Sequence, residues 1–210
     1  MKRIYVFLPL ILFLFSLNST VHAQLNLDMG LKVGITRAQM DVSDLDENTT
    51  VEQLQGYMGG VFLRLTLLNL IAVQPEINYM QKGAIFKEPN IATNTFMLNY
   101  VEVPILGKLN LFKLLGIAQT SIYGGIAYSK LLEAKGRYET EDETTEQDLK
   151  ELFNERENSY VGGLDIQLNL GALKLLVDGR VTLSQSNILD PEMDSEALNR
   201  VYSLSVGFLF

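Results

Sequence analysis

The sequence holds no cysteine and no tryptophan, and its one histidine, His22, lies close to the start. Without cysteine there is no disulfide framework, no thiolate metal centre and no thiol nucleophile. An excess of basic charge is also missing: 17 Lys and Arg face 25 Asp and Glu, a net charge of −8. A nucleic-acid partner needs a basic face, so none is expected. Long apolar runs are equally scarce. Beyond Leu17 no stretch approaches the roughly 18 uncharged apolar residues of a membrane-spanning helix, which excludes a helical membrane protein but not a β-barrel.

The exception sits at the start. Lys2 and Arg3 precede an uncharged apolar run over 4–17, broken only by Pro9, and a short polar stretch ends Val21-His22-Ala23. That run rises about 21 Å as a helix, short of the roughly 30 Å hydrocarbon core. The pattern is that of a secretory signal peptide, residues 1–23, cleaved before Gln24. Residues 24–210 are then one domain, more acidic than the whole and free of His as well as Cys.

In that domain a period of two dominates. From Leu25 to Ile35 every odd-numbered residue is apolar, and every even-numbered one to Thr36 is polar or glycine. This is strand periodicity. It returns over 57–67, 73–82, 99–109, 120–132, 162–170, 175–184 and 202–210. Eight strands of this length fit a tilted crossing of a bilayer. The intervening segments alternate long (37–56, 83–96, 133–160, 185–199) and short (68–72, 110–118, 171–174), the arrangement of an outer-membrane barrel with long outer loops and tight periplasmic turns. The expected fold is all-β: an eight-stranded antiparallel up-and-down transmembrane barrel, with both ends of the chain in the periplasm of a Gram-negative cell.

One stripe of these strands is almost free of charge. The other carries Asp28, Lys32, Arg64, Glu76, Lys82, Glu102, Lys108, Asp165, Asp178 and Arg180, five acids and five bases. A balanced set suits a lumen in which charges pair, whereas unpaired burial is expensive. The competing arrangement is a soluble barrel, which turns the apolar stripe inward and the charges to water.

Several segments resemble a known family: GLKVG at 30–34, VQPEINYMQKGA at 73–84, LNYVEVPIL at 98–106, YGGIAY at 123–128 and VYSLSVGF at 201–208. In this order they are similar to the PorT-like outer-membrane β-barrel proteins common in Bacteroidetes. The resemblance implies an eight-stranded barrel in the outer membrane, in contact with its lipid and with the barrel insertion machinery. It implies PorT-like support of type IX secretion as the sharpest functional expectation, with secretion-system or surface proteins as partners. Resemblance to other outer-membrane barrels also implies that the aromatic residues of the last strand, Tyr202, Phe208 and Phe210, serve as an insertion signal.

Catalysis is not expected. Glu76 and Glu102 form a tempting carboxylate pair for acid/base work, but lumen salt bridges with Arg64, Lys82 or Lys108 account for them, and no nucleophile with a base is visible. No cofactor or metal is expected. The stretch 139–157 carries nine acids against Lys150 and Arg156. It reads as a solvated acidic loop, with a helical turn at 148–154; the alternative is a surface module binding a cation or a partner protein, although the loop lacks calcium-loop spacing. Pro75 and Pro104 remove ladder donors and suggest bulges or bends. Gly59-Gly60, Gly124-Gly125 and Gly162-Gly163 read as glycines that relieve crowding.

Overall fold

The structure, a computed structural model, describes residues 25–43, 49–88, 92–114, 117–140, 143–171, 173–191, 193 and 195–210. The expected signal segment 1–23 lies outside the described residues, as do Glu141 and Asp142 of the acidic stretch.

The alternating segments form long strands: β1 (Leu25–Val42), β2 (Thr50–Leu67), β3 (Ile71–Glu88), β4 (Ala92–Leu114), β5 (Ala118–Glu139), β7 (Arg156–Leu170), β8 (Leu173–Ser184) and β9 (Ala197–Leu209). Each pairs antiparallel with its neighbours in chain order, and β9 returns to β1 with Gly30 opposite Leu209. The ring of eight is closed, so no strand edge inside the bilayer is left without partners. Phe210 exchanges backbone hydrogen bonds with Met29 in both directions, at 2.9 and 3.0 Å. A short strand, β6 (Thr144–Asp148), pairs only with the far end of β5 and stands outside the ring.

The two ends of the barrel differ. One holds Leu25, Phe210 and the turns at 68–70, Ile117 and Gly171, and is termed the turn end. Leu68 and Asn69 adopt left-handed backbone there, with φ of 53° and 55°, and Gly171 supplies φ of 71° in the last of these turns. The other, the loop end, corrects the expected loop lengths. The segment 83–96 is not a loop: β3 runs into it as far as Glu88 and β4 from Ala92, the two paired to these ends. The first long segment is likewise mostly strand. The register shifts also fall elsewhere than at the prolines. They lie at Gln53/Met58, Asn99/Tyr100 and Asn110/Lys113, while the β3–β4 ladder merely skips from Pro75–Ile105 to Asn78–Glu102.

The apolar stripe faces outward. Leu31, Val61, Ile77, Ile105, Ile126, Leu164, Val177 and Val206 are all exposed on the barrel wall. On five strands that stripe ends toward the loop end in a tyrosine: Tyr57, Tyr79, Tyr128, Tyr160 and Tyr202. The next outward residues are Gln55, Gln81, Lys130, Asn158 and Arg200. Tyr57 and Tyr79 stack with ring centroids 5.8 Å apart. Phe112, Phe208 and Phe210 lie outward near the turn end. From Tyr57 to Leu67 the stripe rises about 25 Å at the usual tilt, the height of an apolar band between two aromatic girdles. In each glycine pair, only the inward member has no room for a side chain. A Cβ at Gly60 would meet Asn78 Oδ1 at 2.1 Å, one at Gly125 the Ile105 carbonyl at 2.1 Å, and one at Gly163 the Tyr123 hydroxyl at 2.4 Å.

Candidate functional site: the barrel interior

Strand alternation sends every second side chain of eight strands into one narrow lumen, where an eight-stranded barrel leaves space only for side chains. Lys32, Arg64, Glu76, Lys82, Glu102, Lys108, Asp165, Asp178 and Arg180 are all buried there. They sort into three tiers along the axis.

Nearest the turn end, Arg64 donates to Gln74 Oε1 and Gln167 Oε1, both at 2.7 Å, and reaches Asp165 at 3.4 Å. Lys108 also pairs with Asp165. The middle tier centres on Glu76. Arg180 grips its carboxylate with two parallel bonds of 2.8 and 2.9 Å, and Lys32 Nζ lies 2.9 Å away. Gln74 and Asn78 add donors at 2.7 and 2.9 Å. Lys32 and Arg180 each reach Asp178 at 3.2 Å, and the Tyr123 hydroxyl donates to the same carboxylate at 2.5 Å. In the third tier Lys82 bridges Glu102 and Glu157, each at 3.1 Å. Ser129 donates to Glu102, and Ser159 and Asn199 to Glu157.

Three expectations need correction. Glu76 pairs with Lys32 and Arg180, not with Arg64, Lys82 or Lys108; of the pairs expected for these two acids, only Glu102–Lys82 forms. Glu76 and Glu102 sit in different tiers, each neutralised by different cations, and do not act as one carboxylate pair. Asp28 is only half-buried and stands apart at the turn-end mouth, held at 2.5 Å by Lys174. Lys174 was not among the candidates, although its position on the inward stripe of β8 could have revealed it.

The third correction concerns the acidic stretch. Glu157 is fully buried, so it belongs to the lumen rather than to a solvated loop. Its signal in the sequence is parity: it lies on the same stripe as Ser159, Val161 and Asp165, inside the segment 133–160 expected to be a loop. Lys150–Leu152 forms a single 3-10 turn within the expected helical segment, and Leu149 and Phe153 on either side are buried. Together with Ile188, Met40, Ala84, Leu98, Leu131, Ala134 and Ala197 they make an apolar plug above the Lys82 tier. The rings of Phe86, Tyr138 and Phe153 pack edge-on around Phe96. Among the described residues no group of three or more acidic side chains could hold a metal ion.

Glu76, at the centre of the arrangement, is saturated, whereas Glu102 Oε1 and Asp165 Oδ1 are buried without a hydrogen-bond partner, each carboxylate being held by cations through its other oxygen. Both oxygens of Glu76 accept several hydrogen bonds, and its charge is answered by two cations, which leaves no lone pair directed at a substrate. The interlocking tiers and the plug fill the lumen from the turn-end tier to the loop end.

A closed antiparallel ring with an apolar outer band, aromatic girdles and a charged, filled interior defines a transmembrane β-barrel of the outer-membrane kind. The sequence matches the outer membrane protein beta-barrel domain family over residues 22–190, and the chain belongs to that family. Among curated proteins no relative matches. Solved structures of similar shape include OprG from Pseudomonas aeruginosa (12% identity, TM-score 0.50, covering 87% of this chain and 95% of that one). Ail of Yersinia pestis is similar at 14% identity and a TM-score of 0.45, covering 87% and 98%. Neisserial surface protein A is similar at 8% identity and a TM-score of 0.47, covering 86% and 95%. At these identities the likeness extends to the fold.

Proposed function

We propose that the protein is a closed, non-enzymatic barrel of the outer membrane with a structural or assembly role, PorT-like support of type IX secretion being its sharpest form. The observation that supports this reading is the filled interior, in which ten buried charges balance as five acids and five bases. Such a lumen offers neither a general conduit nor a free catalytic group, so activity falls to the loop end and the turn end. On this reading residues 1–23 are removed on export, both chain ends face the periplasm, and Tyr202, Phe208 and Phe210 guide insertion. The test has two arms. Protein folded into planar bilayers should show no conductance above background, and a deletion strain should lose secretion of proteins that depend on the type IX machinery. A steady open channel, or normal secretion, would overturn the respective part.

A surface-binding role is favoured by a different observation. At the loop end an apolar cup of about 360 Å³ opens between Met40, Phe86, Phe96, Tyr138, Phe153 and Leu189. On this reading the cup and the acidic strand β6 beside it meet a partner protein, and deletion leaves secretion intact while partner capture is lost.

A further inference from the structure

Two neighbouring cations on the outer wall meet no acid among the described residues. Lys130 of β5 and Arg156 of β7 are direct cross-strand partners, and both are exposed on the outward stripe. Like charges directly opposite each other destabilise a ladder. Four other outward cations of the loop end are matched: Lys87 to Glu52 and Lys135 to Glu133 at 2.8 Å, Arg137 to Glu146 at 2.7 Å, and Arg200 to Asp41 at 2.6 Å. Arg37 of β1 also forms no ion pair among the described residues but has no second cation opposite it, its ladder partners being Gln55 and Tyr202. Lys130 and Arg156 form no ion pair among the described residues. The acids next to Arg156 are turned elsewhere, Glu155 toward Lys150 at 3.9 Å and Glu157 inward to Lys82.

Immediately below this pair the wall is grooved. Val103, Ile105, Ile126, Tyr128 and Tyr160 line a depression of about 300 Å³, with Asn158 on its rim toward the cations. The groove lies on the lipid side of the tyrosine girdle, and the two cations lie just beyond it, at the depth of the headgroups.

We propose that this wall holds one anionic, phosphate-bearing bilayer lipid, with an acyl chain in the groove and its phosphate bridging Lys130 and Arg156. The phosphate supplies the negative charge that the like-charged pair lacks, and its oxygens suit a guanidinium and an ammonium side by side. The groove restricts the occupant to a lipid rather than a free anion.

The experiment is native mass spectrometry of the detergent-folded protein, titrated separately with phosphatidic acid, phosphatidylcholine and inorganic phosphate. One phosphatidic acid should remain bound under conditions that strip phosphatidylcholine and phosphate. Lys130→Gln with Arg156→Gln should weaken that retention roughly tenfold or more. Tyr160→Ala should weaken it less, and Arg37→Gln, which removes an exposed cation across the ring on β1, should leave it unchanged. The heat-modifiable gel shift reports folding, and the single variants Lys130→Gln and Arg156→Gln carry the test if the double variant does not fold. Retention unaffected by the Lys130 and Arg156 variants, or equally reduced by Arg37→Gln, would overturn the site. Phosphate binding as tight as lipid binding would overturn the lipid as its occupant.

Discussion

Below the tyrosine girdle this barrel holds ion pairs inside and is apolar outside; beyond the Lys82 tier, which lies just above the girdle, the same strands are apolar inside and polar outside. On β1 the outward residues Leu31, Val33 and Ile35 give way to Arg37 and Asp41, while the inward Lys32 gives way to Ala38 and Met40. On β3 the inward series Gln74, Glu76 and Asn78 becomes Met80, Lys82 and Ala84, and the outward side reaches Lys87. The strands run on through the crossing, with register shifts beside it at Gln53/Met58 and Asn99/Tyr100. What changes is the surrounding medium. Hydrocarbon demands an apolar wall and leaves the interior to be satisfied by ion pairs, whereas water permits the ordinary hydrophobic core of a soluble barrel. One set of strands therefore serves as membrane barrel and soluble barrel in turn.

The sharpest way to break the comparison is to remove an ion from the lower half. Glu76→Ala leaves two buried cations, Lys32 and Arg180, to share the single carboxylate of Asp178, and should cost about 3–5 kcal/mol in urea unfolding from lipid vesicles. A loss under about 1 kcal/mol would mean that the interior is wet and its ion pairs dispensable. In the upper half the matching change is Phe153→Ala. Deleting a buried Phe side chain costs about 3–5 kcal/mol in a core, but here the plug lies beyond the apolar band of the wall. Hydrogen exchange should rise at 149–153 and at 188–189, while the unfolding midpoint of the membrane-embedded strands moves little.

A smaller contrast is expected on the outer wall. Val177→Arg, in the apolar band, should cost about 2–4 kcal/mol, and Gln39→Arg, above the girdle, close to nothing. Equal costs would erase the boundary at the tyrosines.

The ring of eight strands was legible because hydrocarbon outside and ions inside enforce strict alternation, as in 25–36. The strand ends were not, because the inversion removes the pattern the eye follows: from Arg37 to Val42 the outward positions turn polar and the inward ones apolar, which reads as a loop. The same inversion hid Glu157 within an acidic run. Its neighbours in sequence, Glu155 and Arg156, are exposed, and only the register with Ser129 on β5 turns it into the lumen. The lumen charges were legible as a set but not as pairs. Which cation meets which acid depends on how the tilted strands stagger, and that placed Arg180 rather than Arg64 on Glu76. Lys174 is the second residue of β8, one place ahead of the alternating stretch 175–184, so its inward parity shows only once the strand is extended to Leu173.

The smallest effect concerns pH. On the loop-end extension of β5, hydrogen bonds from Lys135 and Asn99 hold the Glu133 carboxyl below its usual range, and Glu133 in turn raises Lys135. Glu133 therefore adds stability above its unfolded pKa, and this is lost as pH falls through the lowered folded value. Lys135 adds stability that persists below its unfolded pKa and is lost as pH rises through the raised folded value. Both groups are exposed, so Glu133→Gln should flatten the acid limb of the unfolding midpoint against pH only slightly; a large shift would show that this segment is buried.

Because the chain has no tryptophan, a single one reports without background, and depth along β1 can be read position by position. Tryptophan placed in turn at Leu31, Val33, Ile35, Arg37, Gln39 and Asp41, in vesicles of brominated lipid, should be strongly quenched through Ile35 and should escape quenching beyond Arg37. Quenching that continued to Asp41 would place the whole strand in hydrocarbon and contradict the inversion at the tyrosine girdle.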